Sequence, residues 1–120
     1  MPKATILIAD DSMFMRNLIK DLLSHHGYQI IAEAPDGYDA VALYEEKRPD
    51  IVILDLVMPK MNGLHALKHI LQIDPNAKIV MCSSMGQKSL VIEALQIGAK
   101  DFVVKPYISK LVSALHNLCN

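Results

Sequence analysis

Tryptophan is absent, phenylalanine occurs twice, cysteine twice, and neither sign of charge dominates the 120 residues. Cys82 and Cys119 have no CxxC spacing, so neither a disulfide framework nor a thiolate metal site is indicated. Cys82 lies in an apolar run and reads as a small core residue, whereas Cys119 reads as part of a frayed C-terminus. Twelve basic and thirteen acidic side chains leave a formal charge of −1. That balance offers no electrostatic footprint for nucleic acid or for an anionic membrane. No apolar run approaches the roughly 18 residues that a membrane span requires, and no signal-peptide apolar region follows Met1. A cytoplasmic location is expected. Linkers, repeats and low-complexity stretches are missing as well, so a single domain over residues 1–120 is expected, filling the chain. A chain of this size buries roughly two-thirds of its unfolded surface, so it needs no staple.

What the chain does have is regular alternation. Five short apolar runs recur: Thr5–Ala9, Tyr28–Ala34, Ile51–Leu54, Lys78–Cys82 and Asp101–Val104. Most are continuously apolar, the signature of parallel strands covered on both faces. Glu33 places the second run nearer an edge. Between them the period becomes helical. Phe14, Leu18 and Leu22, with Met15, Ile19 and Leu23, form adjacent seams on one face of a first helix. Ala40, Val41 and Tyr44 mark a second. Leu64, Leu67 and Leu71 mark a third, Leu90, Ala94 and Ile97 a fourth, and Leu111, Leu115 and Leu118 a fifth. Gly27 and Gly98 stand where helices should stop, and Pro49 and Pro75 in connections. Strand and helix alternating five times imply an α/β, doubly wound parallel sheet.

Polar residues collect at the strand ends. Asp10 and Asp11 follow the first strand and Asp55 closes the third. Ser83 and Ser84 follow the fourth, and Lys105 follows the fifth. Parallel strands point the same way, so these side chains gather along the carboxyl edge, where open α/β sheets bind ligands. Crowded carboxylates repel and call for a cation. Oxygen-only donors with room for water suit Mg²⁺. Magnesium commonly shares its shell with phosphate, and an Asp can be the nucleophile of phosphoryl transfer. The Lys105 ammonium and Ser83 hydroxyl could then hold phosphoryl oxygens. Each residue taken singly has an ordinary alternative as a cap, turn or surface group. Four independent strand-end placements on one edge favour a site.

The chain resembles the receiver domains of bacterial response regulators along essentially its whole length. The resemblance rests on Ile8-Ala9-Asp10-Asp11-Ser12, Leu54-Asp55-Leu56-Val57-Met58-Pro59 and Met61-Asn62-Gly63. It continues in Cys82-Ser83-Ser84, Gly98-Ala99-Lys100-Asp101-Phe102 and Val104-Lys105-Pro106. The stretches Asp11-Ser12-Met13-Phe14-Met15-Arg16 and Met85-Gly86-Gln87 resemble the chemotaxis-type, CheY-like subgroup. The resemblance implies a (βα)5 flavodoxin-like fold with strand order 2-1-3-4-5. It assigns Asp55 as phosphoacceptor, and Asp10, Asp11, Asp55 and the Val57 carbonyl to Mg²⁺. It makes Ser83 the switch hydroxyl, Lys105 the phosphate-facing cation, Phe102 the aromatic that turns inward, and Lys105–Pro106 a cis peptide. Implied partners are a histidine kinase of the CheA type and a target such as a flagellar motor switch protein, met by a surface of helix four, strand five and helix five. The implied protein is a monomeric switch rather than a turnover enzyme. Val57 and Met85, apolar beside the acceptor, are expected to give a long-lived acyl phosphate.

Other readings compete. A haloacid-dehalogenase-type hydrolase would carry a second Asp two residues after its nucleophile, where Val57 stands. A flavodoxin-like carrier would carry a Ser/Thr/Gly-rich phosphate loop where Asp10-Asp11 stands. A phosphorelay intermediate, a phosphate sink, a degenerate binding module or a receiver cut from a longer regulator would share this fold. His65 and His69 have i, i+4 spacing but sit with Lys68 and Gln72 on a polar face, and none of the five histidines falls at the carboxyl edge.

Overall fold

A computed structural model describes residues 2–119; Met1 and Asn120, the bounds of the expected domain, lie outside the described residues. The elements run β1 (Thr5–Ala9), α1 (Met13–His25), β2 (Gln29–Ala34), α2 (Gly37–Lys47) and β3 (Ile51–Leu54). They continue with α3 (Gly63–Ile73), β4 (Lys78–Ser83), α4 (Lys88–Ile97), β5 (Asp101–Val104) and α5 (Lys110–Cys119). All pairings are parallel and the order is β2-β1-β3-β4-β5, as expected for the doubly wound fold.

Alternation along the strands divides the core into two layers. Leu7, Ala9, Val52, Leu54, Ile79 and Met81 point to one face and meet α2, α3 and α4 through Ala40, Tyr44, Leu67, Ile70 and Ala94. Ile6, Ile8, Ile51, Ile53, Val80 and Cys82 point to the other and meet α1 and α5 through Ile19, Leu23, Leu111 and Leu115. Every residue of β3 is buried, because that strand is central and covered twice. β2 is an edge strand, and its register against β1 slips between Ile6 and Leu7, leaving Ile31 without a partner there.

The helix ends follow local chemistry. Ser12, Asp36 and Asn62 each accept a backbone N–H three residues on, capping α1, α2 and α3. Gly27 follows the end of α1 at φ +89°, a left-handed conformation that glycine adopts without a Cβ penalty.

Three expectations need correction. α1 buries only the Ile19–Leu23 seam; Phe14, at 71% exposure, and Leu18 face solvent. A helix lying on a flat sheet presents about a third of its surface, so a second apolar seam has nothing to pack on. Met13 is likewise exposed. Cys119 closes the last turn of α5 instead of fraying. Tyr28 precedes β2 because its N–H closes the α1 turn onto the Leu23 carbonyl.

Candidate functional site

Three of the strand-end residues extend the sheet ladder by one rung. The Asp10 N–H donates to the Ala34 carbonyl (2.9 Å), the Asp55 N–H to Ala9 (3.0 Å) and the Lys105 N–H to Ser83 (2.9 Å). Their backbones are therefore set by the sheet and not by loop conformation, and their side chains converge over its carboxyl edge. Asp10, Asp55 and Ser83 are buried, while Asp11 is exposed at the rim.

Lys105 holds the centre. Its Nζ lies 2.6 Å from Asp10 Oδ2 and 3.2 Å from Asp55 Oδ2. Burial alone would lower the pKa of Lys105, but hydrogen bonds and attraction from the two carboxylates outweigh it and hold the ammonium above its ordinary value. Asp55 shows the opposite balance. Desolvation raises its pKa, Lys105 opposes the rise, and the neighbouring Asp10 charge adds to it. The nearby Ser83 hydroxyl also opposes the rise, and it accepts the Met85 N–H at 3.2 Å. Burial raises the nearby Cys82 thiol to about 12, so that thiol is not a nucleophile here.

Two supporting residues escaped the sequence reading as anything more than motif letters. The Gly63 N–H donates to the Leu56 carbonyl at 2.7 Å, and a Cβ on Gly63 would sit 1.9 Å from the Asp55 carbonyl oxygen. Only glycine lets α3 start that close to the acceptor strand. Arg16 donates from Nη1 to the Asp10 carbonyl at 2.6 Å and from Nε to Glu33 Oε1 at 3.2 Å. Its place in Asp11–Arg16 was visible, but that α1 turns it back onto β1 was not.

The remaining expected residues are placed as follows. The Lys105–Pro106 peptide is cis. Phe102 is half-buried against the α2–α4 layer of the core. Val57 and Met85 are exposed beside the acceptor and, with Leu56, Met58, Asn62, Leu64 and Leu90, line an apolar cavity of about 230 Å³. A larger cavity of about 520 Å³ opens at the opposite, amino edge of the sheet. Its acids are already engaged: Asp50 accepts from Thr5, and Asp74 from Tyr44 and Asn76. Neither cavity is lined by Asp10, Asp11, Asp55, Ser83 or Lys105; the smaller one adjoins the end of β3 through Leu56 and Val57. Ser84 is exposed and caps no helix, since α4 begins at Lys88 behind Gln87. His65 and His69 are exposed on α3.

Asp10, Asp11 and Asp55 can each offer a carboxylate oxygen, all within 4.8 Å of one another. An all-oxygen set of three acids, one at the solvent rim, fits a hard divalent cation that keeps part of its water. One ammonium against three formal negative charges leaves the crevice two charges short of neutral, which a divalent ion matches. These residues thus fit Mg²⁺.

The family model for the response regulator receiver domain matches residues 6–116. The chemotaxis protein CheY of Thermotoga maritima is 52% identical over 114 residues, covering 94% of this chain and 95% of that protein. CheY of Bacillus subtilis is 51% identical over 116 residues, covering 96% and 97%. Among solved structures, that of the CheX-CheY-BeF3-Mg+2 complex from Borrelia burgdorferi is similar at a TM-score of 0.92 and 38% identity, covering 95% of this chain and 87% of that one. A receiver match over nearly every element, joined to relatives half identical from end to end, accounts for acids, hydroxyl and lysine meeting on one sheet edge: the chain belongs to the response regulator receiver domain family.

Proposed function

We propose that this receiver is a chemotaxis response regulator that takes a phosphoryl group on Asp55. The observation that carries the reading is the Lys105 ammonium bridging Asp10 and Asp55 beneath a rim carboxylate, Asp11. A phosphoryl donor would bring more negative charge into this crevice, so the fixed cation and the metal-type acids are what transfer needs. Asp10, Asp11 and Asp55 would hold Mg²⁺, with the Val57 carbonyl completing the protein's share. When bound, the ion supplies charge neutralisation at the phosphoryl oxygens.

In the transfer an Asp55 carboxylate oxygen attacks phosphorus. The new P–O bond forms as the bond to the donor breaks, and the donor leaves with that electron pair, which on a histidine kinase is an imidazole nitrogen. Lys105 leaves its bridge to follow the new oxygens, and the Ser83 hydroxyl, already beside Asp55, turns to donate to them. That draws the β4–α4 connection inward, and the half-buried Phe102 on β5 has room to repack, altering the face made by α4, β5 and α5. Exposed Ile92, Leu95 and Tyr107 lie on or beside those elements.

The CheY relatives support a chemotaxis role, in which a CheA-type kinase would be the donor and a flagellar motor switch protein the target, and the Borrelia complex supports Mg²⁺ and contact with a CheX-like partner. No helix among the described residues is long and apolar enough to cross a membrane. The test is intact mass after incubation with acetyl phosphate, with and without Mg²⁺, beside Asp55→Asn. A single adduct requiring both the ion and Asp55 is expected. Its absence in a folded protein with active donor would make the chain a binding module without phosphotransfer.

A further inference from the structure

We infer that Arg16 is a positioning residue for the metal site, fixing the turn that aims Asp10 and Asp11 at the crevice. The inference rests on the reading of those acids as Mg²⁺ ligands. Asp10 is held at every polar atom: its N–H by the Ala34 carbonyl, its Oδ1 by the Ser12 N–H at 2.9 Å, and its Oδ2 by Lys105. Its carbonyl is the one group the sheet and the helix cap leave over, and Arg16 Nη1 takes it at 2.6 Å. That carbonyl belongs to the peptide joining Asp10 to Asp11. Fixing it fixes the plane from which the Asp11 side chain departs.

The clamp is itself braced. Arg16 Nε reaches Glu33 Oε1 on β2, and Lys20, one turn along α1, takes Glu33 Oε2 at 2.9 Å. The Arg16 side chain is only 13% exposed, so water competes weakly for the Asp10 carbonyl. A guanidinium can serve carbonyl and carboxylate together because its donors diverge in one rigid plane; an ammonium is a compact point charge. Orientation of metal-binding acids by such outer partners commonly governs affinity by 10–100-fold.

Charge and position predict opposite signs, which makes the inference testable. Arg16 is a cation near a cation site, so by charge alone its removal should strengthen Mg²⁺ binding. As a clamp, its removal should weaken it. Isothermal titration of the full chain with MgCl₂ is the measurement, comparing wild type, Arg16→Gln, Arg16→Lys and Asp11→Asn, with thermal unfolding followed in parallel. Arg16→Gln is expected to bind Mg²⁺ about tenfold more weakly. Arg16→Lys, which keeps the charge but loses the fork, should fall between it and wild type. Unchanged or tighter binding by Arg16→Gln overturns the clamp. If that variant fails to fold, Arg16→Lys decides, and wild-type affinity there overturns it equally. Wild-type protein that takes up no Mg²⁺ sinks the metal reading and the clamp with it. Loss in Asp11→Asn alone leaves the metal reading standing and removes only the clamp.

Discussion

Replacing Gly63 by alanine puts one carbon where the backbone behind the phosphoacceptor already stands. The added Cβ would lie 1.9 Å from the Asp55 carbonyl oxygen and 2.8 Å from both the Asp55 carbonyl carbon and the Leu56 Cα. None of these atoms is the end of a flexible side chain, so α3 or the segment after β3 must move. Overpacking of this kind costs about 1–3 kcal/mol, and the 2.7 Å bond from Gly63 N–H to Leu56 contributes about 1 kcal/mol that is lost if the two separate. Alanine recovers at most about 1 kcal/mol through its better helix propensity, and less at a first helical position. The net expectation is about 2–3 kcal/mol of destabilisation, or roughly 8–12 °C in Tm at this chain length. Gly86→Ala is the control, because the nearest atoms its Cβ would meet belong to the Val104 side chain, at 2.8 Å, and a side chain can turn aside. Calorimetry on both variants, with phosphorylation rate from acetyl phosphate, gives the comparison. Gly63→Ala melting within about 2 °C of wild type, or no worse than Gly86→Ala, would refute the close-approach argument.

Three other outcomes are expected. Hydrogen bonding to Lys20, ahead of opposing desolvation, lowers the pKa of Glu33 from 4.5, so its ion pairs contribute fully above that value and are lost as acid titrates the folded carboxylate. Glu33→Gln should therefore cost up to about 1 kcal/mol at neutral pH and nothing once the pH falls below the folded pKa; urea midpoints across pH check it, and a constant difference would contradict it. Cys119 is exposed, whereas Cys82 is buried with a thiol near 12, so a thiol reagent should label the first quickly and the second only as fast as the chain unfolds. Two fast thiols would count against the two-layer core. Lys105→Gln, freeing Asp10 and Asp55 from their ammonium, should bind Mg²⁺ more tightly by about fivefold or more while accepting phosphoryl groups more slowly. Weaker metal binding in that variant would refute the competition.

The parts of the molecule legible in the sequence are those set by period and by strand direction. β1, β3 and β5 fall where apolar runs without alternation place them, and the strand-end acids converge because parallel topology leaves them nowhere else. Pairing order needed the family resemblance, since beyond Glu33, which marks β2 as nearer an edge, the strands carry no intrinsic rank. What periodicity cannot convey is how much partner surface each helix will find. The Phe14–Leu18 seam has the same spacing as Ile19–Leu23, yet only the latter faces the sheet. Gly63 and Arg16 illustrate a second limit. Each acts on a backbone carbonyl, of Asp55 and of Asp10, and main-chain contacts leave no mark on hydropathy.

Two cations at this edge are expected to act on Mg²⁺ in opposite senses, and the reason lies in which oxygen each one holds. Lys105 occupies carboxylate oxygens, those a metal would use, and its raised pKa means that it stays charged in the crevice. It is an internal counter-ion whose bonds must be exchanged before the acids serve another cation. Arg16 occupies a carbonyl oxygen facing α1 and β2, and its charge is offset by Glu33. Removing it frees no metal ligand; it frees the peptide that carries two of them. Simple charge counting treats the two residues alike and predicts tighter metal binding from either deletion. The hydrogen-bond map separates them, so the pair of variants Lys105→Gln and Arg16→Gln, titrated side by side, distinguishes an edge governed by net charge from one governed by the placement of its acids.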